Sequence, residues 1–262
     1  MYTNTFKTDK FQFNINDILD ITFIAGEKIM KIYNKRFEIE YKNDKSPLTE
    51  ADKESNETII NGLKKIIDLP ILSEEGQIIP YKEREKWNFF WMIDPLDGTK
   101  EFIKKNGQFT VNIALIEKNK PVFGIVYAPA LNDLYFTDNK YSYKSNKELT
   151  YIKRLPLISK KESFVIVASK SHLNEETKNF IRNIKTDGKK KEFVTKGSSL
   201  KLCMVAEGVA DIYPRLAPTM EWDTAAADAI VRKTGKMSYN FETGQPLKYN
   251  KKILLNPWFI VK

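Results

Sequence analysis

The stretch Phe89-Phe90-Trp91-Met92-Ile93-Asp94-Pro95-Leu96-Asp97-Gly98-Thr99 begins as an unbroken apolar run and ends in two carboxylates. An apolar run without alternation predicts a strand covered on both faces. Pro95 removes a backbone donor and fixes the turn, and Gly98 lets the backbone come close to a ligand. Carboxylates held together at the end of such a strand must protonate, pair or bind a cation. With no His or Cys nearby, hard oxygen ligands favour Mg²⁺, with Mn²⁺ as the alternative. A turn of this composition is on its own often only a turn, so the rest of the chain has to decide.

Upstream, Ile15, Ile18, Leu19, Thr22, Ala25, Ile29 and Ile32 recur at helical spacing and predict an amphipathic helix over 15–33. Ser46-Pro47 breaks the chain. Thr49 and Asp52 then have capping-box spacing, with Asp in place of Glu. The helix that follows turns Ile59, Ile60, Leu63, Ile66 and Ile67 to one side and ends by Pro70. Ile71-Leu72 leads into Ser73-Glu74-Glu75-Gly76, a second acidic pair placed after a strand. Downstream, 110–116 and 122–127 read as paired strands around Asn119-Lys120, and Leu134-Tyr135-Phe136 as another.

The second half alternates strand and helix: strands at 164–168, 193–195 and 210–213, helices at 174–184, 198–207 and 222–234. The first half is thus α+β and the second α/β. The boundary is expected near Leu155-Pro156, giving units 1–155 and 156–262. Asp223 opens the Ala-rich helix, where a negative charge is favourable as an N-cap and where a phosphate could also be faced.

Composition narrows the class. Hydrophobic residues at 42% of 262 give an ordinary globular balance, which argues against global disorder. A formal net charge of +9 admits nucleic acid, an anionic surface or an anionic small substrate. Lys and Asn are spread along the whole chain, and Lys189-Lys190-Lys191 after Asp187-Gly188 reads as a turn, so a dedicated nucleic-acid patch is not expected. The single cysteine, Cys203, excludes an internal disulfide and reads as a small buried hydrophobe. The single histidine, His172, excludes a two-histidine metal site. Neither a signal peptide nor a membrane-spanning run is present, which points to the cytoplasm; peripheral association with the inner membrane face and the oligomeric state stay open.

Ser73 to Gly76, Asp94 to Thr99 and Trp222-Asp223-Thr224-Ala225-Ala226 resemble, in this order, the three signature motifs of the inositol monophosphatase superfamily. The resemblance implies a layered α/β/α/β/α sandwich of the inositol monophosphatase/fructose bisphosphatase type, Mg²⁺-dependent hydrolysis of a phosphate monoester, and inhibition by lithium. Within the superfamily, 45–52, Lys100-Glu101-Phe102, Gly197-Ser198-Ser199-Leu200-Lys201 and Tyr213-Pro214-Arg215 resemble the 3′(2′),5′-bisphosphate nucleotidases of the bacterial CysQ type. Ala227 departs from the Gly that commonly ends the third motif.

The resemblance carries roles with it. Glu74, Asp94, Asp97, Asp223 and the carbonyl of Leu96 would hold roughly two or three Mg²⁺ ions. Asp52 and Thr99 would accept and relay the water proton, with Glu74 beside them. Gly98 and Thr99 would hold the scissile phosphate, with Glu74, Lys100 and Asp223 also binding substrate. Ser198, Lys201 and Arg215 would hold a second phosphate and the nucleoside, and Ser169 and His172, after a strand, would contact substrate. For Lys201 plain surface charge, and for His172 a structural place, are the competing readings. The expected partner is a small nucleoside bisphosphate. Rival readings are an inositol monophosphatase or fructose bisphosphatase, a non-catalytic nucleotide-binding regulator, and a nucleic-acid-binding protein.

Overall fold

The computed structural model describes residues 2–35, 40–41, 47–157, 161–169 and 174–262. A hairpin of β1 (Thr5–Lys7) and β2 (Gln12–Asn14) leads into α1 (Ile15–Tyr33). Asn14 caps α1, its side chain accepting from the Asn16 backbone N–H at 3.0 Å. All seven apolar-face residues expected from the periodicity are buried. A short ladder of β3 (Glu40–Tyr41) and β4 (Pro47–Leu48) precedes α2 (Glu50–Ile66). The capping box of Thr49 and Asp52 forms, so Asp is long enough to close it.

The central sheet has seven strands in the order β11-β10-β9-β8-β7-β6-β5. They are β5 (Ile71–Ser73), β6 (Phe89–Asp97), β7 (Thr110–Glu117), β8 (Lys120–Ala128), β9 (Asp133–Thr137), β10 (Ser142–Ser145) and β11 (Ile152–Arg154). Every pair is antiparallel except β5 with β6. Two short helices interrupt the run, α3 (Tyr81–Arg84) and α4 (Thr99–Ile103). The sheet divides two apolar cores: Trp91, Ile93, Val111, Ile113 and Phe123 join the faces of α1 and α2, while Phe90, Met92, Ala114, Ile116 and Val126 face the other way. That two-sided burial is why β6 reads as a continuous apolar run.

Beyond Leu155 the chain forms β12 (Ser163–Ala168), α5 (Glu175–Asn183), β13 (Lys190–Thr195), α6 (Leu200–Glu207), β14 (Tyr213–Arg215), α7 (Trp222–Arg232), β15 (Ser238–Asn240) and β16 (Phe259–Val261). β12 and β13 pair in parallel, β14-β16-β15 pair antiparallel, and an Ile166–Ile212 bridge joins the two sets. Leu200, Val205, Ala225, Ala226 and Val231 cover the second face of the central sheet, so residues before and after Leu155 share one core. α5 lies outside, against β14. The layers are therefore α1/α2, central sheet, α6/α7, second sheet and α5, the expected five-layer sandwich. A Cβ on Gly124 would meet Ala226 O at 2.2 Å, so β8 and α7 approach as closely as a side-chain-free residue permits. Ala227 packs fully buried inside α7.

Some elements differ from the sequence reading. The turn is Asp187–Gly188 alone, and Lys190 and Lys191 enter β13. The third strand of the second half is centred on Tyr213–Arg215, preceded by the single bridge at Ile212. The β1–β2 hairpin, β10, β11, β15 and β16 carried no sequence signal strong enough to name.

Candidate active site

Three chain segments bring their carboxylates to one point. The parallel pairing of Ser73 with Ile93 sets the ends of β5 and β6 side by side, and the Glu74 backbone N–H donates to Ile93 O at 3.2 Å. Asp94 follows Ile93, and Asp223 stands in the first turn of α7. Ligand oxygens of Glu74, Asp94 and Asp223 all lie within 4.8 Å of one another. At that separation each pair of like charges repels by roughly 3 kcal/mol even with an effective dielectric constant near 20.

Asp94 is buried, one oxygen accepting the Leu96 backbone N–H at 3.1 Å and the other, Oδ2, having no hydrogen-bond partner. Burial, and then the charges of Glu74, Asp97 and Asp223, hold its carboxyl well above the ordinary range. Asp223 is raised for the same reasons, burial first and then Asp97 and Glu74, although it accepts the Met220 backbone N–H at 2.9 Å. A buried oxygen without a donor inside an all-oxygen cluster fits a hard divalent cation.

The β6–β7 register shifts between Asp94 and Asp97, and the Asp97 charge still acts on both Asp94 and Asp223. Asp97 Oδ2 accepts the Ser198 hydroxyl at 2.6 Å and the Ser199 backbone N–H at 2.7 Å. Gly98 then adopts φ 91, a left-handed conformation, and starts α4 with Thr99. The Thr99 hydroxyl lies 3.4 Å from Asp52 Oδ1 and 3.4 Å from Leu96 O. The other oxygen of Asp52 takes the Thr49 backbone N–H at 2.8 Å and its hydroxyl at 2.6 Å.

These groups open onto a cavity of about 390 Å³. Of the residues singled out in the sequence, Glu74, Asp94, Leu96, Asp97, Gly98, Thr99, Lys100, Ser169, Ser198, Lys201, Arg215 and Asp223 line it. Asp52 stands behind Thr99, and His172 lies outside the described residues, as do 45 and 46. Lys201 is buried rather than a surface charge: its ammonium donates to Ser198 O at 2.5 Å and sits 5.5 Å from the Tyr213 ring centre. Burial pushes it down to about 8 against the pull of Asp97, and the neighbouring Arg215 adds to the lowering. Arg215 donates to Pro218 O at 2.9 Å and keeps its Nε buried with no partner. Burial likewise pushes the Tyr213 phenol up to about 12.

Two groups were not singled out in advance. Pro218, Met220 and Leu255 are apolar members of the cavity lining. Thr110 and Asn112 reach Ser198 and Ser199 from β7. The available signal for the latter was a pair of polar residues at alternate positions of an otherwise apolar strand.

The profile of the inositol monophosphatase family matches residues 15–257. The 3′(2′),5′-bisphosphate nucleotidase CysQ of Shigella flexneri is 39% identical over 251 residues, 94% of this chain and 98% of that protein. The protein of the same name from Buchnera aphidicola (subsp. Acyrthosiphon pisum) is 42% identical over 244 residues, 90% of this chain and 87% of that one. The crystal structure of CysQ from Bacteroides thetaiotaomicron superposes with a TM-score of 0.85 at 44% identity, covering 94% of this chain and 96% of that one.

Proposed function

The chain belongs to the inositol monophosphatase family, and on that premise we propose that it is a Mg²⁺-dependent 3′(2′),5′-bisphosphate nucleotidase, removing the 3′-phosphate of 3′-phosphoadenosine 5′-phosphate to give AMP and phosphate. The observation that carries the reading is one cavity lined both by the Glu74, Asp94 and Asp223 carboxylates and by the buried cations Lys201 and Arg215. A substrate with one phosphate to lose and another to be held by cations matches that combination.

Glu74, Asp94, Asp97, Asp223 and the Leu96 carbonyl are the groups that would hold the cations, roughly two or three Mg²⁺ with Mn²⁺ as a substitute. Bound there, the cations supply a water nucleophile at neutral pH and neutralise charge on the phosphate. Thr99 has no basicity of its own, but its hydroxyl can hand a proton to Asp52, whose second oxygen is already fixed by Thr49. The turn at Gly98 lets backbone, not side chain, border the scissile phosphate. Lys201 and Arg215 would clamp the remote phosphate, and that binding energy orients the one to be cleaved. Ser169 and Lys100 also line the cavity, and Pro218, Met220 and Leu255 would face the nucleoside.

The test is phosphate release from a panel of 3′-phosphoadenosine 5′-phosphate, inositol 1-phosphate and fructose 1,6-bisphosphate, each with and without Mg²⁺. The highest kcat/KM is expected for the nucleoside bisphosphate, with no turnover after chelation. A higher value for inositol 1-phosphate or fructose 1,6-bisphosphate would overturn the substrate assignment.

A further inference from the structure

β7 carries two buried polar side chains, Thr110 and Asn112, and both bond to serines far along the chain. Burying an amide costs free energy unless its hydrogen bonds are made; here the Asn112 Oδ1 is bonded, while its Nδ2 is buried with no partner. Register sets Thr110 opposite Asp97 and Asn112 opposite Asp94. Their partners come from far along the chain. The Ser199 hydroxyl donates to Asn112 Oδ1 at 2.7 Å, and Thr110 Oγ1 lies 2.9 Å from it. Thr110 Oγ1 also pairs with Ser198 Oγ, which donates onward to Asp97. The Ser199 backbone N–H donates to the same Asp97 oxygen.

Ser198 and Ser199 are thus fastened on one side to β7 and on the other to Asp97. The backbone in between is unusual. Ser198 has φ 55, and a Cβ on Gly197 would meet Gln108 O at 2.8 Å. Strained residues of this kind persist where the surroundings over-determine them. Two residues beyond Ser199, Lys201 turns back to bond Ser198 O.

We propose that Asn112, assisted by Thr110, is a positioning residue for the reaction: by anchoring Ser199 it fixes loop 197–201, and so sets both the Asp97 carboxylate toward the cations and Lys201 toward the second phosphate. This rests on the roles given above to Asp97 and Lys201. It assigns a function to a strand that otherwise serves only the core.

The test compares Asn112→Leu, which keeps the volume and removes the acceptor, with Ser199→Ala, which removes the donor, and with the double variant. Mg²⁺ binding is measured by calorimetry without substrate, alongside kcat/KM for whichever phosphomonoester of the panel is turned over. Each single variant is expected to weaken Mg²⁺ binding and kcat/KM by roughly 10-fold or more, the usual effect of losing a group that orients a metal ligand. Because both substitutions break one connection, the double variant should be no worse than the more severe single one. Unchanged Mg²⁺ affinity in either folded variant, or additive losses, overturns the proposal. If Asn112→Leu does not fold, Thr110→Val takes its place in the cycle with the same expectation. Should no nucleotide be hydrolysed, the substrate reading fails, yet the calorimetric coupling still decides the proposal.

Discussion

The Thr99 hydroxyl and the Asp52 carboxylate, 47 positions apart in sequence, stand 3.4 Å from each other behind the cavity. Asp52 completes the N-terminal cap of α2 with one oxygen and meets Thr99 with the other. A helix cap is rigid, so the proton acceptor is held before substrate arrives.

Asp52→Asn keeps an acceptor for the cap but has no basicity. It should lower kcat by roughly 100-fold or more, as loss of a general base does, with little change in melting temperature. Thr99→Val should act similarly. Combined, the two should cost no more than the worse of them, because they serve one proton path. A near-normal kcat in Asp52→Asn, read by phosphate release, would remove the pair from the mechanism.

The raised Asp94 and Asp223 carboxyls make the metal-free protein sensitive to pH. Both bind protons more tightly folded than unfolded. Their contribution to stability is therefore full below the ordinary carboxylate pKa of about 4 and is lost as pH rises from there through the raised native values. Melting temperature in a chelator should fall with rising pH over that window. Asp94→Asn should flatten the fall, raise the metal-free melting temperature and abolish turnover. Saturating Mg²⁺ should reverse the loss, since a ligand at 100 times its Kd adds about 2.7 kcal/mol. A melting temperature in chelator that is flat or rises with pH would refute the description of the cluster.

Lithium should inhibit only in the presence of Mg²⁺. A monovalent ion in the Glu74–Asp94–Asp223 cluster leaves one positive charge too few to neutralise the carboxylates and the phosphate. Steady-state rates through a millimolar lithium titration test this, and no change in rate would exclude such substitution.

Arg215→Ala should reduce kcat/KM for the bisphosphate by roughly 10- to 100-fold, the loss of a charged hydrogen bond, while barely affecting a monophosphate. The ammonium of Lys201, pushed down to about 8, should make kcat/KM for the bisphosphate decline as pH rises through that value. Lys201→Met should remove the decline. Equal losses on both substrates in Arg215→Ala would make the guanidinium structural, through its bond to Pro218 O.

The sequence carried the parts of this molecule that local physics decides. The seven spaced apolar residues of α1 and the Thr49/Asp52 cap of α2 are written within single turns, and both formed as read. The end of β6 announced itself because carboxylates cannot follow a buried apolar run without a reason. What stayed hidden depends on register and distance. Asp94 and Asp97 look equivalent in sequence, but Asp94 joins Glu74 and Asp223 in the tight acidic cluster while Asp97 accepts from two serines. Thr110 and Asn112 acquire meaning only when a loop nearly ninety residues later docks on them. β10 and the edge strand β11 are short, and the exposed β11 has little apolar pattern to show.

The close seating of α7 on β8 at Gly124 bears on how the chain is made. Phe90, Met92, Ala114, Ile116 and Val126 leave the ribosome long before Ala225 to Val231, which cover them. At 5–20 residues per second, the hundred or so residues in between take roughly 5–20 s to synthesise. Until then that face of the sheet lacks its α7 cover and has only α6 available for part of the interval. Newly made chains at that stage are the ones most in need of a holding chaperone, and slow translation between β8 and α7 would prolong that need.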